Sequence, residues 1–500
     1  MRHKLLSLVL LASISVRLLP TVVTGQPFST DVWPLIRISE ELLRNPERRV
    51  WDYPLSSNYH IRWPAVMLSA TLYSRLTGSE PTQFFSYVGV AALATLIVLV
   101  TYSLTKRWVN KHTALLSSLT LSSIPSFTIF TSATLKEVYA YPLALAFILL
   151  VTKEFRYSTI AILILLSVAL VLSHSLTPLM ITAFIASYLF VVVVKRLEGL
   201  RTRVDYGKIS TALIILGTTY TAYMVFYGWG GLKYELSLSD FIVLGVFGVA
   251  VYGWYALVGS SSTKLSLAVA PVAAASVIAG VNVPRDPSIL AYVLPPALLL
   301  GLLLTTERGD RESSLNVASV LLPLTTATLY ISLASPILTS ILHRILNYLV
   351  FAAAVTPILL SKSCETRRKI LTLTTTLVFV TSLATVINAV FLGDSLTFYW
   401  KYSTQEVVGL GRVASHVSGS KLCGDAKIQY LLGQELVSIV CGLKRFFDYS
   451  VTGPPIVTYP DNFRFGYVVS PIDSLRVVSP EDLRSVWSVI YNSGGVLIWR

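Results

Sequence analysis

The chain has 500 residues, of which 54% are hydrophobic and 13% carry a formal charge. Soluble domains have about 25% charged residues, so this composition excludes an ordinary soluble protein. The net charge of +14 does not indicate nucleic-acid binding, because the excess Lys and Arg lie in short loops between apolar segments, where they set membrane orientation. Apolar runs of about 20 residues recur along the chain, and each can cross about 30 Å of hydrocarbon. We therefore predict an all-α polytopic membrane protein.

The first apolar segment, residues 5–24, follows Arg2 and Lys4. It is similar to a signal peptide, but no small-x-small cleavage site follows it. We therefore predict an uncleaved span with its N-terminus in the cytoplasm. Arg17 interrupts this span near its outer end, and we expect it either to snorkel to the membrane interface or to face an anionic ligand there.

The next stretch, residues 25–83, is predicted to be an extracytoplasmic loop with surface helices. An N-cap signal ends at Asp31, and residues 32–44 have the amphipathic pattern of a helix lying on the membrane surface. A second surface helix is predicted at 63–77. The loop is rich in ionisable side chains for so apolar a chain: Asp31, Glu40, Glu41, Asp52 and His60.

The rest of the membrane part, up to residue 392, holds the other predicted spans. They cover residues 84–104, 112–129, 137–152, 157–173, 177–194, 208–227, 239–258, 264–281, 288–305, 315–333, 337–360 and 369–392. With the first span the total is about thirteen. The later loops assigned to the cytoplasm hold seventeen Lys and Arg, and those assigned outside hold three. This asymmetry supports the parity of the count and places the C-terminus outside.

Residues 393–500 are predicted to form a small extracytoplasmic α/β domain. Its predicted strands lie in residues 421–425, 437–442, 464–471 and 494–500, and its predicted helices in 404–417, 425–433 and 480–491. Cys423 and Cys441 are expected either to form a disulfide, if the domain faces an oxidising compartment, or to remain buried free thiols.

Ionisable residues beside membrane spans are costly to place, which makes them candidates for function. The predicted topology gathers a dozen of them on the outer side, and five are taken as site candidates: Asp31, Lys136, Glu137, His174 and Arg344. Two carboxylates from different loops can hold a metal, or one can deprotonate an acceptor hydroxyl. An Arg at the interface can pair with a lipid phosphate.

Each candidate also has a purely structural interpretation. Asp31 can serve as a helix cap, and Lys136 with Glu137 can form an interfacial ion pair. His174 can be a hydrogen-bonded histidine of the helix bundle, and Arg344 can be a snorkelling side chain.

The order of the first segments is similar to that of a known superfamily. RLLP at 17–20 ends the first span, and STDVWPLIRISEELL follows. A second amphipathic helix then closes on LTGSEP at 76–81, before the next span. This order resembles the GT-C superfamily of membrane glycosyltransferases, which includes oligosaccharyltransferase catalytic subunits, protein mannosyltransferases and lipid A aminoarabinose transferases. The pattern KLCGDAKIQYLL…IYNSGGVLIWR resembles the outer domains of archaeal membrane proteins of this kind.

The resemblance implies a polyprenyl-phosphate-linked donor and an essential acid in the first loop. Asp31 would be the catalytic or metal-binding acid, and Glu137 would be the acid of the second loop. Lys136, His174 and Arg344 would bind substrate. Any cation held by the two acids would be divalent, Mg²⁺ or Mn²⁺.

This sequence departs from the superfamily pattern in two places, one beside Asp31 and one in the C-terminal segment. Val32 and Trp33 follow Asp31, where many relatives carry a second acid. The C-terminal segment also lacks a WWD-type motif, which argues against an oligosaccharyltransferase.

Three functions follow as hypotheses. The first is a membrane glycosyltransferase that moves a sugar from a polyprenyl-phosphate-linked donor to an extracytoplasmic protein, lipid or glycan, in contact with membrane lipids. The second is a non-catalytic scaffold or anchor of the cell envelope. The third is a transporter, which ranks last because the acids gather at one surface and not at mid-membrane.

Overall fold

In a computed structural model the chain forms a helical membrane bundle followed by a small α/β sheet. The structure describes residues 2–47, 49–50, 58–199, 205–228, 238–258, 292, 295, 319–327, 330, 347–348, 365–392, 398–416, 421–448, 454–470, 473–474, 483–484, 488–494 and 496–499. The predicted span at 264–281, most of those at 288–305 and 337–360, and about half of that at 315–333 lie outside these residues.

The described helices are numbered here in chain order. They are α1 Arg2–Thr24, α2 Val32–Arg44, α3 Asn58–Ile61, α4 Ala65–Thr77, α5 Pro81–Gln83, α6 Gly89–Thr105, α7 Lys111–Ser123, α8 Pro125–Phe130, α9 Lys136–Val151, α10 Tyr157–Ser173, α11 Leu176–Leu197, α12 Tyr206–Tyr223, α13 Leu238–Val258, α14 Glu365–Ile387, α15 Thr404–His416, α16 Ala426–Leu432, α17 Ile439–Asp448 and α18 Pro460–Phe465. Short π-helical turns at Phe84–Val88, Met224–Gly228 and Asn388–Leu392 adjoin α6, α12 and α14.

Five of the described helical segments are long and apolar enough to cross a membrane. They are Lys4–Thr24, Pro81–Thr105, Leu176–Leu197, Tyr206–Gly228 and Thr372–Phe391. Two shorter apolar helices, Tyr157–Ser173 and Ile242–Ala256, accompany them. The chain is therefore an integral membrane protein, and the described spans coincide with predicted ones.

The predicted span at 112–129 is wrong as a single helix, because the chain breaks at Pro125. Ile124 adopts extended backbone angles, φ −66° and ψ 122°, and α8 begins anew with Pro125 at its first position. Proline has no N–H to continue the preceding helix and disfavours helical angles in the residue before it. The result is two short helices, α7 and α8, in place of one span.

The first-loop helices match the predicted surface helices closely. α2 covers the predicted residues 32–44, and α4 begins at Ala65 within the predicted 63–77. The apolar side of α2, including Leu35 and Leu42, is buried in a core shared with α4 and the start of α9. Thr71 Oγ1 of α4 donates to the Ser39 carbonyl oxygen of α2 at 3.3 Å, which ties the two helices together.

The start of α9 is recessed into the bundle. The five residues Thr131–Leu135 that connect α8 to α9 are all buried. Thr131 contacts Arg17, which lies seven residues before the end of α1, or about 10 Å along the helix axis. Non-helical backbone at membrane depth is tolerated where protein covers it or where it lines a cavity. The connection therefore sets α9, with Lys136 and Glu137 at its start, below the end of the bundle.

The C-terminal segment contains a five-stranded sheet in the order β2-β1-β3-β7-β6 and a separate β4-β5 pair. The strands are β1 Leu422–Cys423, β2 Val437–Ser438, β3 Ile456–Thr458, β4 Val468–Ser470, β5 Asp473–Ser474, β6 Val489–Asn492 and β7 Leu497–Trp499. β1 pairs in parallel with β2 and β3, whereas β7 is antiparallel to β3 and β6.

Two local predictions in this segment are wrong. The predicted strand 437–442 is a strand only at Val437–Ser438, because α17 begins at Ile439. The predicted helix 480–491 ends in a strand, since β6 begins at Val489 and pairs with β7. The misassigned residues, 439–442 and 489–491, are short apolar runs, and such runs do not distinguish a buried strand from a buried helix.

Candidate functional site

Asp31 occupies the N-cap position of α2, but its carboxylate makes no capping hydrogen bond to that helix. The residue itself has helical backbone angles, φ −63° and ψ −14°, whereas a capping residue is normally extended. The interpretation of Asp31 as only a helix cap is therefore wrong. Its half-buried carboxylate is directed to other groups.

The backbone before Asp31 is held in an unusual conformation. Ser29 is buried and has a φ of +85°, the positive-φ conformation that is rare for residues other than glycine. Its N–H donates to the Trp400 carbonyl oxygen at 2.7 Å. Strained backbone of this kind persists only where its surroundings over-determine it, and it concentrates at functional sites.

Tyr399 is the neighbour that couples Asp31 to the C-terminal segment. Burial raises the pKa of the Tyr399 phenol well above its ordinary range, and the nearby Tyr430 and Asp31 raise it further. The Tyr399 side chain is almost fully buried. A neutral phenol thus lies beside the carboxylate at the start of α2.

The C-terminal segment is docked on the first loop by specific bonds. Arg37 Nη1 donates to the carbonyl oxygens of Tyr430 and Leu431, at 2.6 and 2.5 Å. These carbonyls belong to the last turn of α16, where a cation is favourable for the helix dipole. The Trp33 ring packs edge-on against Tyr402, with centroids 5.6 Å apart. The position of α2, and with it Asp31, therefore depends on residues from both ends of the chain.

Glu137 lies in a buried ring of side chains, called here the Glu137 cluster: Glu137, Tyr141, His174, Thr177 and Tyr348. Tyr141 Oη donates to Glu137 Oε1 at 2.6 Å, and His174 Nε2 lies 3.9 Å from Glu137 Oε2. Thr177 Oγ1 is 3.0 Å from both His174 Nδ1 and Tyr348 Oη. The Tyr348 ring packs edge-on against Tyr141 at 6.1 Å, which closes the ring.

The contacts of His174 define its tautomer. The Thr177 N–H donates to His174 Nδ1 at 3.3 Å, so Nδ1 is the acceptor. In the neutral imidazole the proton then resides on Nε2, the nitrogen that faces Glu137. α9 supplies Glu137 and Tyr141, the turn between α10 and α11 supplies His174, and the first turn of α11 supplies Thr177. His174 was expected to be a hydrogen-bonded histidine of the bundle. Its neighbours there are Thr177 and Glu137, and Glu137 is itself a candidate site residue.

Lys136 is buried at the start of α9 and contacts the first loop. Its Nζ lies 5.5 Å from the centroid of the Trp63 ring, within cation–π range. Burial lowers the pKa of His60 well below its ordinary value, and the charge of Lys136 lowers it further. The structure therefore brings Lys136, Trp63 and His60 together, next to Glu137 in the chain.

The remaining predicted residues are placed as follows. Arg344 lies outside the described residues. Cys423, at the end of β1, and Cys441, in α17, are joined in a disulfide with Cα atoms 5.0 Å apart. Within the described ranges no three His, Cys, Asp or Glu side chains are grouped as metal ligands. Glu137 already accepts a hydrogen bond from Tyr141 and lies next to buried Lys136, so its surroundings do not fit a bound Mg²⁺ or Mn²⁺.

Several residues of the site were not singled out from the sequence: Trp63, Tyr141, Thr177, Tyr348 and Tyr399. Tyr141 follows Glu137 by four residues, the spacing at which helical side chains meet, so that signal was available. The aromatic run FYWKY at 398–402, between the last span and the C-terminal segment, was a second signal.

Solved structures share this fold at low sequence identity. The Archaeoglobus fulgidus oligosaccharyltransferase in the apo form matches with a TM-score of 0.55 and 12% identity, over 92% of this chain and 70% of that chain. The same organism's AglB, in complex with an inhibitory peptide and a dolichol-phosphate, gives a TM-score of 0.53 and 12% identity, over 92% and 69%. ArnT from Cupriavidus metallidurans bound to undecaprenyl phosphate gives 0.50 and 12% identity, over 99% and 97%.

These structures are GT-C glycosyltransferases, and the chain has their fold. No protein-family model matches the sequence, and no curated protein sequence matches it either. The resemblance to the GT-C superfamily is thus confirmed at the level of the fold.

Proposed function

We propose that the protein is a GT-C-type glycosyltransferase that moves a sugar from a polyprenyl-phosphate-linked donor to an acceptor hydroxyl. The observation that carries this proposal is the fold match along almost the whole of ArnT, a structure with undecaprenyl phosphate bound. A second matched structure contains a dolichol-phosphate. The site supports the same function, because Asp31 and the buried Glu137 cluster supply acids and bases near one end of the bundle.

In the proposed reaction Asp31 is the general base. It takes the proton of the acceptor hydroxyl as that oxygen attacks the anomeric carbon of the sugar. The new carbon–oxygen bond forms while the bond from the anomeric carbon to the phosphate oxygen breaks, and the lipid phosphate leaves with the electron pair. Tyr399, a buried neutral phenol whose pKa is raised by the nearby Asp31, is proposed to assist this carboxylate.

The leaving phosphate requires positive charge or hydrogen-bond donors. Lys136 is the buried cation at the start of α9, and His174 with an Nε2 proton is a second donor. Glu137 sets the orientation of His174 by lying opposite that nitrogen. Arg344 is proposed as a further phosphate contact. No step in this scheme is assigned to a metal ion.

The first loop and residues 393–500 are proposed to face the extracytoplasmic side, with the N-terminus in the cytoplasm. The excess of Lys and Arg in the loops of the opposite side supports this orientation. The docking of Arg37 on α16 supports placing the first loop and the C-terminal segment on the same side, and a disulfide suits an oxidising compartment.

The decisive experiment measures sugar transfer by the full chain in lipid nanodiscs, with polyprenyl-phosphate-linked sugars as donors. Asp31→Asn is expected to lower the transfer rate by at least about 100-fold, because a positioned base contributes about 10²–10⁴-fold. Glu47→Gln, an exposed acid of the same loop, is the matched control and should leave the rate unchanged. Full activity in Asp31→Asn would show that the base is misassigned. A wild-type protein that neither binds polyprenyl phosphate nor transfers sugar would favour the scaffold hypothesis.

A further inference from the structure

Arg17 is fully buried inside a membrane-spanning helix. Its Nε donates to Thr131 Oγ1 at 2.7 Å, and its Nη1 donates to Ser13 Oγ at 2.8 Å and to the Ser13 carbonyl oxygen at 3.3 Å. Nη2 has no hydrogen-bond partner. Among the described residues no carboxylate is paired with this guanidinium.

The direction of the side chain contradicts the expectation that Arg17 snorkels to the membrane interface. The contacts with Ser13 show that the guanidinium turns back by one helical turn toward the N-terminus of α1, deeper into the bundle. A snorkelling side chain would extend toward the nearer end of the helix and reach solvent.

Arg17 binds the connection between α8 and α9 through Thr131. Thr131 Oγ1 accepts from Arg17 and donates to the Phe127 carbonyl oxygen at 2.6 Å, so the cation acts through Thr131 on the end of α8. A second bond fixes the same connection, because Thr134 Oγ1 donates to the Phe85 carbonyl oxygen at 3.2 Å. Gly89 permits this approach, since a Cβ atom there would lie 2.6 Å from Thr134 Oγ1.

The burial of the Arg17 guanidinium costs free energy, and this cost makes Arg17 a candidate for a functional role. A buried guanidinium without a paired carboxylate is expensive inside a membrane protein, and a neutral side chain would pack there at lower cost. Its one hydrogen bond outside α1 goes to Thr131, six residues before Glu137. The N-cap of α9, Leu135, makes no side-chain capping bond of its own. The start of α9 therefore depends on the connection that precedes it.

We infer that Arg17 is a positioning residue for the reaction. Through Thr131 it fixes the buried connection Thr131–Leu135 and thereby holds Lys136 and Glu137 in register with His174. The inference rests on the proposed function as far as catalysis is concerned. The structural half, that Arg17 orders the start of α9, does not depend on that function.

The test uses both sides of the Arg17–Thr131 bond in the full chain. Arg17→Met removes the guanidinium, and Thr131→Val removes its acceptor at nearly constant volume. Thr131→Ser keeps the hydroxyl and is the rescue variant. Ser13→Ala removes the other contact of Arg17 without touching the connection, and is the control within the same helix.

Two measurements are made on each variant. In sugar transfer, Arg17→Met and Thr131→Val are each expected to lower kcat by about 10- to 100-fold with an unchanged KM for the lipid donor, because a displacement of about 1 Å costs about 10²-fold. The kcat of the double variant should lie within about twofold of the kcat of the more impaired single variant, since both substitutions remove the same Arg17–Thr131 bond. Thr131→Ser and Ser13→Ala should stay within about twofold of the wild type.

Hydrogen exchange at the amides of Tyr139, Ala140 and Tyr141 is the second measurement, and it needs no activity. Tyr139, whose N–H donates to the Leu135 carbonyl oxygen at 2.9 Å, begins the hydrogen-bonded part of α9. Exchange there should be at least about tenfold faster in Arg17→Met and Thr131→Val, and unchanged in α10. If Arg17→Met does not fold, hydrogen exchange in Thr131→Val alone tests the inference. Unchanged exchange in Thr131→Val overturns the inference, whatever happens to kcat. Faster exchange in a protein whose wild type transfers no sugar would uphold the positioning of α9 and refute the proposed function.

Discussion

Glu137 Oε2 and His174 Nε2 face each other at 3.9 Å, and both side chains are almost fully buried. Glu137 lies in α9 and His174 lies in the turn between α10 and α11. No local sequence pattern predicts that the two residues meet. The pair joins an acid to a titratable donor inside the bundle. In the proposed function Glu137 orients His174 as a donor to the leaving phosphate, and that orientation depends on this contact.

Glu137→Gln is therefore expected to lower kcat for sugar transfer by about 100-fold, in the range measured when one stabilising group of a polar site is lost. The amide can still accept the Tyr141 hydroxyl, so the fold should be kept. Initial rates across donor concentrations provide the measurement. Glu154→Gln is the control, because Glu154 is an exposed acid at the other end of α9.

The coupling of the pair is tested by a double-mutant cycle with His174→Asn. If the two residues act together, the effects of Glu137→Gln and His174→Asn will not add. Additive effects would contradict the role assigned to the pair and leave Glu137 as an independent group.

Tyr399→Phe is expected to lower kcat by about tenfold, because it removes the hydroxyl beside Asp31 while keeping the ring in place. Tyr467→Phe is the matched control, since its hydroxyl donates to the Gly424 carbonyl oxygen within the C-terminal segment, at 2.6 Å. The control substitution should lower the free energy of unfolding by about 1 kcal/mol and leave kcat unchanged. Equal activity losses in the two variants would indicate a general effect of docking and not a role beside Asp31.

Loss of the Cys423–Cys441 disulfide is expected to destabilise the C-terminal segment. Closing a loop of 18 residues contributes about 3 kcal/mol in the chain-entropy description. Thermal unfolding of the Cys423→Ser, Cys441→Ser double variant should therefore occur at a lower temperature, and reductant should lower the wild type to match it. Reactivity of both thiols toward an alkylating reagent in the untreated native protein would show that the bond is not formed.

Acidification should destabilise the region around His60. The pKa of His60 in the folded protein lies well below its ordinary value of 6.5, chiefly because of burial. The unfolded chain therefore binds a proton that the folded chain does not, and stability present above pH 6.5 is lost as the pH falls toward the folded pKa. One proton changes stability by at most about 1.4 kcal/mol per pH unit. His60→Gln should flatten this dependence in unfolding measured between pH 5 and pH 8.

The parts of the fold that could be predicted are those set by local pattern. The amphipathic repeat of residues 32–44 gave the bounds of α2, and apolar runs located the described spans. The break at Pro125 was missed because hydropathy averages over a window, although proline itself carried the signal. β6 was missed because its strand character depends on pairing with β7, which is a contact made in the folded chain.

The candidate residues could be proposed from the sequence, but their arrangement could not. Asp31, Lys136, Glu137 and His174 were singled out because ionisable groups in an apolar chain are costly to place and are candidates for function. That Glu137 meets His174, and that Arg17 turns inward to Thr131, depends on how helices pack. Tyr399 was missed because its relation to Asp31 joins segments more than 360 residues apart.

The bonds from Arg37 to the carbonyl oxygens of Tyr430 and Leu431 span 393 and 394 residues of sequence. At the usual pace of synthesis, about 5–20 residues per second, α2 leaves the ribosome about 20–80 s before its partner exists. During that interval the surroundings of Asp31 are incomplete, since Tyr399 and Trp400 have not been made either. In the proposed reaction, a nascent chain would therefore transfer no sugar until the C-terminal segment has been made.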